Sequence, residues 1–182
     1  MPDANERAAR VRRLQWLKAS TPIGIFGSFF RLEALTALRD HLNASGYHAR
    51  LSLNIGSDMA GAPDPDVYNF EQSKRLVEES AVHIFYLFME RDGESEVNQS
   101  ATLEVGELLR LCSAQSRLSP IRSCALILLE EGLELRSPLT GAIRSSPCWW
   151  EHELFADPAE TLRVARKFCH NALRRQPGWD EP

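Results

Sequence analysis

Two stretches of the chain are apolar almost without interruption: Val82-His83-Ile84-Phe85-Tyr86-Leu87-Phe88-Met89 and Cys124-Ala125-Leu126-Ile127-Leu128-Leu129. Both have strand length, and neither alternates apolar with polar positions. That pattern predicts central strands covered on both faces. Shorter runs predict three more strands. Ile23-Gly24-Ile25-Phe26 leads into Gly27-Ser28 as the first. Residues 47–53 alternate and read as a second strand nearer an edge. Residues 148–154, which include Trp149-Trp150, make a weak fifth.

Between these runs the apolar positions fall at helical spacing. Helices are predicted over residues 5–19, 31–44, 69–80 and 157–174, and another starts near Asn98 or Ser100, both good N-cap residues. Its core stripe is Ala101, Val105, Leu108 and Cys112. In the helix over residues 69–80, Phe70, Ser73, Leu76 and Val77 form the inner face. Asp157-Pro158 opens the last helix, with proline in the first helical position. Residues 137–143 read as a short helix or turn, 54–68 as a long loop, and 116–120 as a connector.

Strands that alternate with helices predict an α/β fold: a three-layer, mainly parallel five-stranded sheet with helices on both faces. Right-handed crossovers and two buried central strands give the flavodoxin-like order 2-1-3-4-5. The expected organisation is an N-terminal helix (1–20), one α/β domain (21–175) and a loose tail (176–182).

Composition narrows the function classes. The 182 residues suffice for one domain with a proper core, and 43% hydrophobic with 25% charged residues is ordinary globular usage. A net charge of −4 gives no footing for general nucleic-acid binding. Arg7, Arg10, Arg12 and Arg13 then read as a solvated helix face. Cys112, Cys124, Cys148 and Cys169 contain no C-x-x-C pair, so reduced thiols are expected and no metal site. No apolar leader and no membrane-length run is present, and the expected location is cytoplasmic. No cofactor motif is found: the turn at Gly27-Ser28 is neither G-x-G-x-x-G nor a Walker A loop.

Candidate chemistry gathers at one edge of the sheet. In open α/β sheets, ligands bind at the C-terminal ends of the strands. Glu104 lies in the early turns of the helix after the third strand, about 70–80° from the centre of its apolar stripe. It reads either as a structural glutamate helped by the helix dipole or as a functional carboxylate at that edge. Gly27 permits close backbone approach, and the following amides and Ser28 can bind an anion or a ribose hydroxyl. Asp64 and Asp66 leave the second strand toward the same edge, where they can hold a sugar hydroxyl.

Gly27-Ser28-Phe29-Phe30, the Asp- and Pro-rich loop, Ser80-Ala81-Val82 and Ser100-Ala101-Thr102-Leu103-Glu104-Val105-Gly106 together resemble the nucleoside 2-deoxyribosyltransferase-like superfamily. That superfamily is related in look to NAD-cleaving TIR domains. The resemblance covers residues 23–131. It implies that Glu104 is the nucleophile that attacks the anomeric carbon, and that Gly27, Ser28 and Phe29 line the base and sugar pocket. Asn98 and Ser100 fall in its substrate-binding stretch, with Gln99-Ser100 where the family carries Gly-Thr. Asp92 is the nearest match to the family's aspartate after the third strand. The resemblance also implies a homo-oligomer whose sites are completed by a neighbour. The function expected is N-glycosidic bond cleavage or glycosyl transfer on a nucleoside, nucleotide or NAD. The alternatives are a catalytically silent nucleotide sensor and a TIR-like interaction module. For the enzyme, the position of Glu104 near a helix N-terminus predicts an ionised carboxylate.

Overall fold

The computed structural model describes residues 4–54, 64–92, 94, 97–114, 123–135 and 137–176. The connector at 116–120, much of the loop at 54–68, and tail residues 177–182 lie outside the described residues. The elements in chain order are α1 (Ala4–Ser20), β1 (Pro22–Gly27), α2 (Leu32–Ala44), β2 (His48–Leu51), α3 (Pro65–Glu79), β3 (Val82–Leu87), α4 (Gln99–Ala114), β4 (Cys124–Glu130), α5 (Ser137–Ser145), β5 (Trp149–Phe155) and α6 (Pro158–Leu173). Short 3-10 turns at Phe29–Arg31 and Ser52–Asn54 follow β1 and β2.

The five strands form one sheet in the order β2-β1-β3-β4-β5, and every pairing is parallel. Ile25 of β1 stands between Leu51 of β2 and Ile84 of β3, and Phe85 of β3 lies opposite Ile127 of β4. Every residue of β3 is buried, and β4 is buried as far as Leu129. This is the expected α/β three-layer architecture and strand order.

Because successive strand residues point to opposite faces, each strand feeds two cores. Ile23, Ile25, Ile84, Tyr86, Leu126 and Leu128 meet α1, α2 and α6 through Leu17, Leu35, Leu38, Leu42, Phe168 and Ala172. Phe26, Phe85, Leu87, Ile127 and Leu129 meet α3 and α4 through Leu76, Val77, Ala101, Val105 and Leu108. Each fully buried Leu, Ile or Phe contributes about 1.5–3 kcal/mol relative to exposure. Among the described residues no helix is long and apolar enough to cross a membrane.

Three local expectations change. First, α3 starts at Pro65, inside the stretch expected to be loop. Asp64 caps it by accepting from the Asp66 amide at 2.9 Å. Asp157 and Pro158 cap α6 with the same device, accepting from the Ala159 amide at 2.9 Å. Second, Phe70 of α3 is 53% exposed and so does not belong to the inner face, which runs through Leu76 and Val77. Third, Cys112 of α4 and Cys148 ahead of β5 are joined as a disulfide, with Cα atoms 6.2 Å apart. The two meet because both belong to the core on the α3–α4 face. Cys124 and Cys169 are buried outside any disulfide. Trp149 and Trp150 point to opposite faces of β5 and both pack inward, Trp149 on Phe168 and Trp150 on Phe85.

Candidate active site at the carboxyl edge of the sheet

The first segment of the site is the turn after β1. A Cβ on Gly27 would stand 2.9 Å from Leu35 Cδ2 and 3.1 Å from the Tyr86 carbonyl oxygen, so a larger residue would have to displace the Leu35 side chain and press on the β3 backbone. Ser28 is buried, and its Oγ accepts from the Phe30 amide at 3.3 Å to cap the following 3-10 turn. Phe29 and Phe30 stand exposed on that turn. Arg31 ends it and forms a two-point ion pair with Glu94 from the segment after β3, with Nη2 donating to Oε2 at 2.7 Å. Glu94 also accepts from the Arg91 amide. The Arg31 guanidinium holds the Glu94 carboxyl below its ordinary range and is itself raised by it. This pair ties together the two connections that leave adjacent central strands.

The second segment leads into α4. The Asn98 side chain clasps the end of β3: its Oδ1 accepts from the Phe88 amide at 2.8 Å, and its Nδ2 donates to the Phe88 carbonyl at 2.7 Å. The Asn98 carbonyl accepts from both the Thr102 amide and the Thr102 hydroxyl. Both ends of the carboxamide are thus engaged in positioning α4. Ser100 is exposed in the first turn, and Asp92 is exposed in the turn before it. Asp64 and Asp66 are exposed at the start of α3, with Asp64 engaged as its cap.

Glu104 lies in the second turn of α4, and Ala101, Val105, Leu108 and Cys112 beside it are buried as the stripe predicts. It points between α4 and α3, where Ser73 Oγ donates to its Oε1. Its Oε2 is inaccessible and, among the described residues, has no hydrogen-bond partner. Burial pushes the carboxyl up to about 8, against the Ser73 hydrogen bond, which lowers it. The expectation of an ionised carboxylate is therefore corrected. Glu104 lies past the first helical turn, where the dipole fades, and desolvation prevails. Among the described residues neither Ser28 nor Ser100 bonds it. Glu107, one turn on, bonds Arg110 instead, with Nε donating to Oε2 at 2.9 Å.

Sequence reasoning missed four residues: Ser73, Arg31 and Glu94 at the site, and His83 nearer the amino end of β3. Ser73 was legible only as an inner-face helix residue. Arg31 and Glu94 carry no local signal, since 63 positions separate them. His83 is hidden in an apolar run. It is fully buried, its Nε2 lies 3.0 Å from the Val77 carbonyl oxygen, and burial holds its imidazole below the ordinary range.

The arrangement offers one isolated carboxyl, held at one oxygen and unpartnered at the other. It is enclosed between two helices that flank the α3–α4 face of the sheet. Such a group can take up positive charge that develops beside it, or attack a carbon once ionised.

No protein-family model matches the chain, and no curated protein matches it in sequence. Solved structures do match in fold. One is a CMP N-glycosidase, BcmB, of Clostridium botulinum, with a TM-score of 0.53 and 11% identity, covering 80% of this chain and 98% of that one. Another is a 2-deoxyribosyltransferase of Bacillus psychrosaccharolyticus, with a TM-score of 0.51 and 11% identity, covering 77% and 90% respectively. The chain has the nucleoside 2-deoxyribosyltransferase-like fold.

Proposed function

We propose that the protein cleaves or transfers at the N-glycosidic bond of a nucleoside, nucleotide or NAD, with Glu104 as the nucleophile or as the stabiliser of the oxocarbenium-like transition state. The observation that carries this reading is the Glu104 carboxyl: enclosed, fixed at Oε1 by Ser73, and unpartnered at Oε2. The fold it shares with an N-glycosidase and a deoxyribosyltransferase supports the substrate class.

The chemistry follows from the carboxyl's environment. With a pKa of about 8, Glu104 is mostly protonated at neutral pH. Positive charge developing at the anomeric carbon favours its ionised form. Substrate entry would part the α3–α4 seam that closes off Oε2 and let its proton pass to solvent; the carboxylate then either faces that charge or bonds to the carbon as the bond to the base breaks and the base departs with the electron pair. In the covalent route, water or a second base then attacks the same carbon and frees the carboxylate. Asp92, Asp64 and Asp66 are the candidate donors of the proton that the departing base takes up, and Ser28, Phe29 and Ser100 the candidate contacts to base and sugar. Copies of the chain would complete one another's sites, and exposed Phe29, Phe30 and Leu32 beside the first turn support that assembly.

The test is chromatographic detection of released base from a panel of nucleosides, nucleotides and NAD, with the wild-type and Glu104→Gln proteins in parallel. A second reading, a silent nucleotide sensor, draws on the same enclosure of Glu104. It predicts ligand binding without base release from either protein.

A further inference from the structure

Charge is segregated in this acidic chain. The helices α1 and α6, with the two residues that follow α6, carry ten of the 21 Lys and Arg residues but only two of the 25 Asp and Glu residues. The two helices pack on the same face of the sheet. Near the start of β2 they border a cleft of about 520 Å³, lined by Lys18, Tyr47, Arg163, Arg166, Lys167 and His170 together with Ser45. This volume falls within the range of small-molecule sites, about 300–1,000 Å³. Among the described residues no carboxylate lines the cleft.

The cations are arranged rather than scattered. Arg163, Arg166, Lys167 and His170 recur at steps of three and four on α6, so they share one helix face. Lys18 faces them from α1. It is fixed by donation from Nζ to the Ser45 carbonyl at 3.0 Å and by its position 4.5 Å from the centre of the Tyr47 ring. Tyr47 is buried beneath the cleft, and burial pushes its phenol up to about 12. Arg163, Arg166 and Lys167 are exposed, and among the described residues none has a carboxylate partner. Burial, then Arg174 and Lys18, hold the His170 imidazole below its ordinary range, which reflects the same crowding of positive charge.

We infer that this cleft is a binding site for a compact ligand bearing two or more phosphate groups. Guanidinium groups match phosphate oxygens two at a time, and ammonium groups add point charge. A concave site with cations on both walls suits a short run of phosphates. The cleft lies at the amino ends of β1 and β2 on the α1–α6 face, whereas Glu104 lies between α3 and α4 on the opposite face of the sheet, so the two sites are distinct.

The test is calorimetric titration of the full chain with tripolyphosphate at low salt. The wild-type protein is compared with the Arg166→Gln, Lys167→Gln double variant and with Arg163→Gln. Both variants change exposed side chains, and unaltered thermal unfolding checks that they fold. Binding is expected for the wild type, weaker by about tenfold or more in the double variant, and falling as salt rises. Absence of binding, or equal affinity in wild type and all folded variants, overturns the inference. A single-stranded oligonucleotide that binds where tripolyphosphate does not also overturns it, because the cleft would then serve a nucleic-acid strand.

Discussion

Glu104→Gln should abolish a specific pH dependence of folding. The unfolded carboxyl titrates near 4.5 and the folded one at about 8. Between those values the folded chain holds a proton that the unfolded chain has lost. The stabilisation is therefore fully present below 4.5 and is lost as pH rises through about 8. At about 1.4 kcal/mol per pH unit for one proton, the loss between about pH 5.5 and about pH 7.5 is on the order of 2–3 kcal/mol. Gln keeps an oxygen to accept from Ser73 but has no proton to lose, so it lacks this slope. Leaving its amide unpartnered at the Oε2 position costs about 1–3 kcal/mol at every pH. Urea unfolding of both proteins across this range measures the difference, because the other titrating groups cancel. Parallel stability curves for wild type and variant would refute the buried, proton-holding carboxyl.

Three further outcomes follow from particular contacts. Ser73→Ala removes the one hydrogen bond that lowers the Glu104 pKa, so the midpoint of the same slope should move upward, as tracked by carboxyl NMR chemical shifts. His83, whose pKa burial lowers, makes the fold lose stability as pH falls below about 6.5, by up to about 1.4 kcal/mol per unit. His83→Asn should flatten that acid limb in denaturant titrations, and an unchanged limb would assign it to other groups. Leu108→Ala, which empties a buried position between α4 and the sheet, should cost about 2–5 kcal/mol in unfolding free energy, while an effect below about 1 kcal/mol would contradict the packing described for α4.

The sheet was legible because buried parallel strands announce themselves as unbroken apolar runs. β3 and β4 were found that way, and their right-handed crossovers settled the strand order. The stripe of α4 was equally plain, since Ala101, Val105, Leu108 and Cys112 recur at core spacing. The start of α3 was not, although Asp64-Pro65 carries the same capping signal as Asp157-Pro158. Neighbouring Gly, Asp and Pro residues made the whole stretch read as loop. Glu104 was picked out by its place on α4, but its protonation was misread, because a sequence shows the helix dipole and not the burial between α3 and α4 that outweighs it. Ser73 lies 31 positions away, and Arg31 and Glu94 lie 63 apart. Contacts between charged or hydroxyl side chains at such separations leave no periodicity to read.

The measurement that bears most directly on the proposed activity is base release by the wild-type protein and by Glu104→Gln under identical conditions, with ligand affinity measured alongside. The account predicts release of a free base by the wild type, a fall on the order of 10³ or more in the variant, and little change in ground-state binding. Equal release by the two proteins, or no release by the wild type from any nucleoside, nucleotide or NAD, would contradict it.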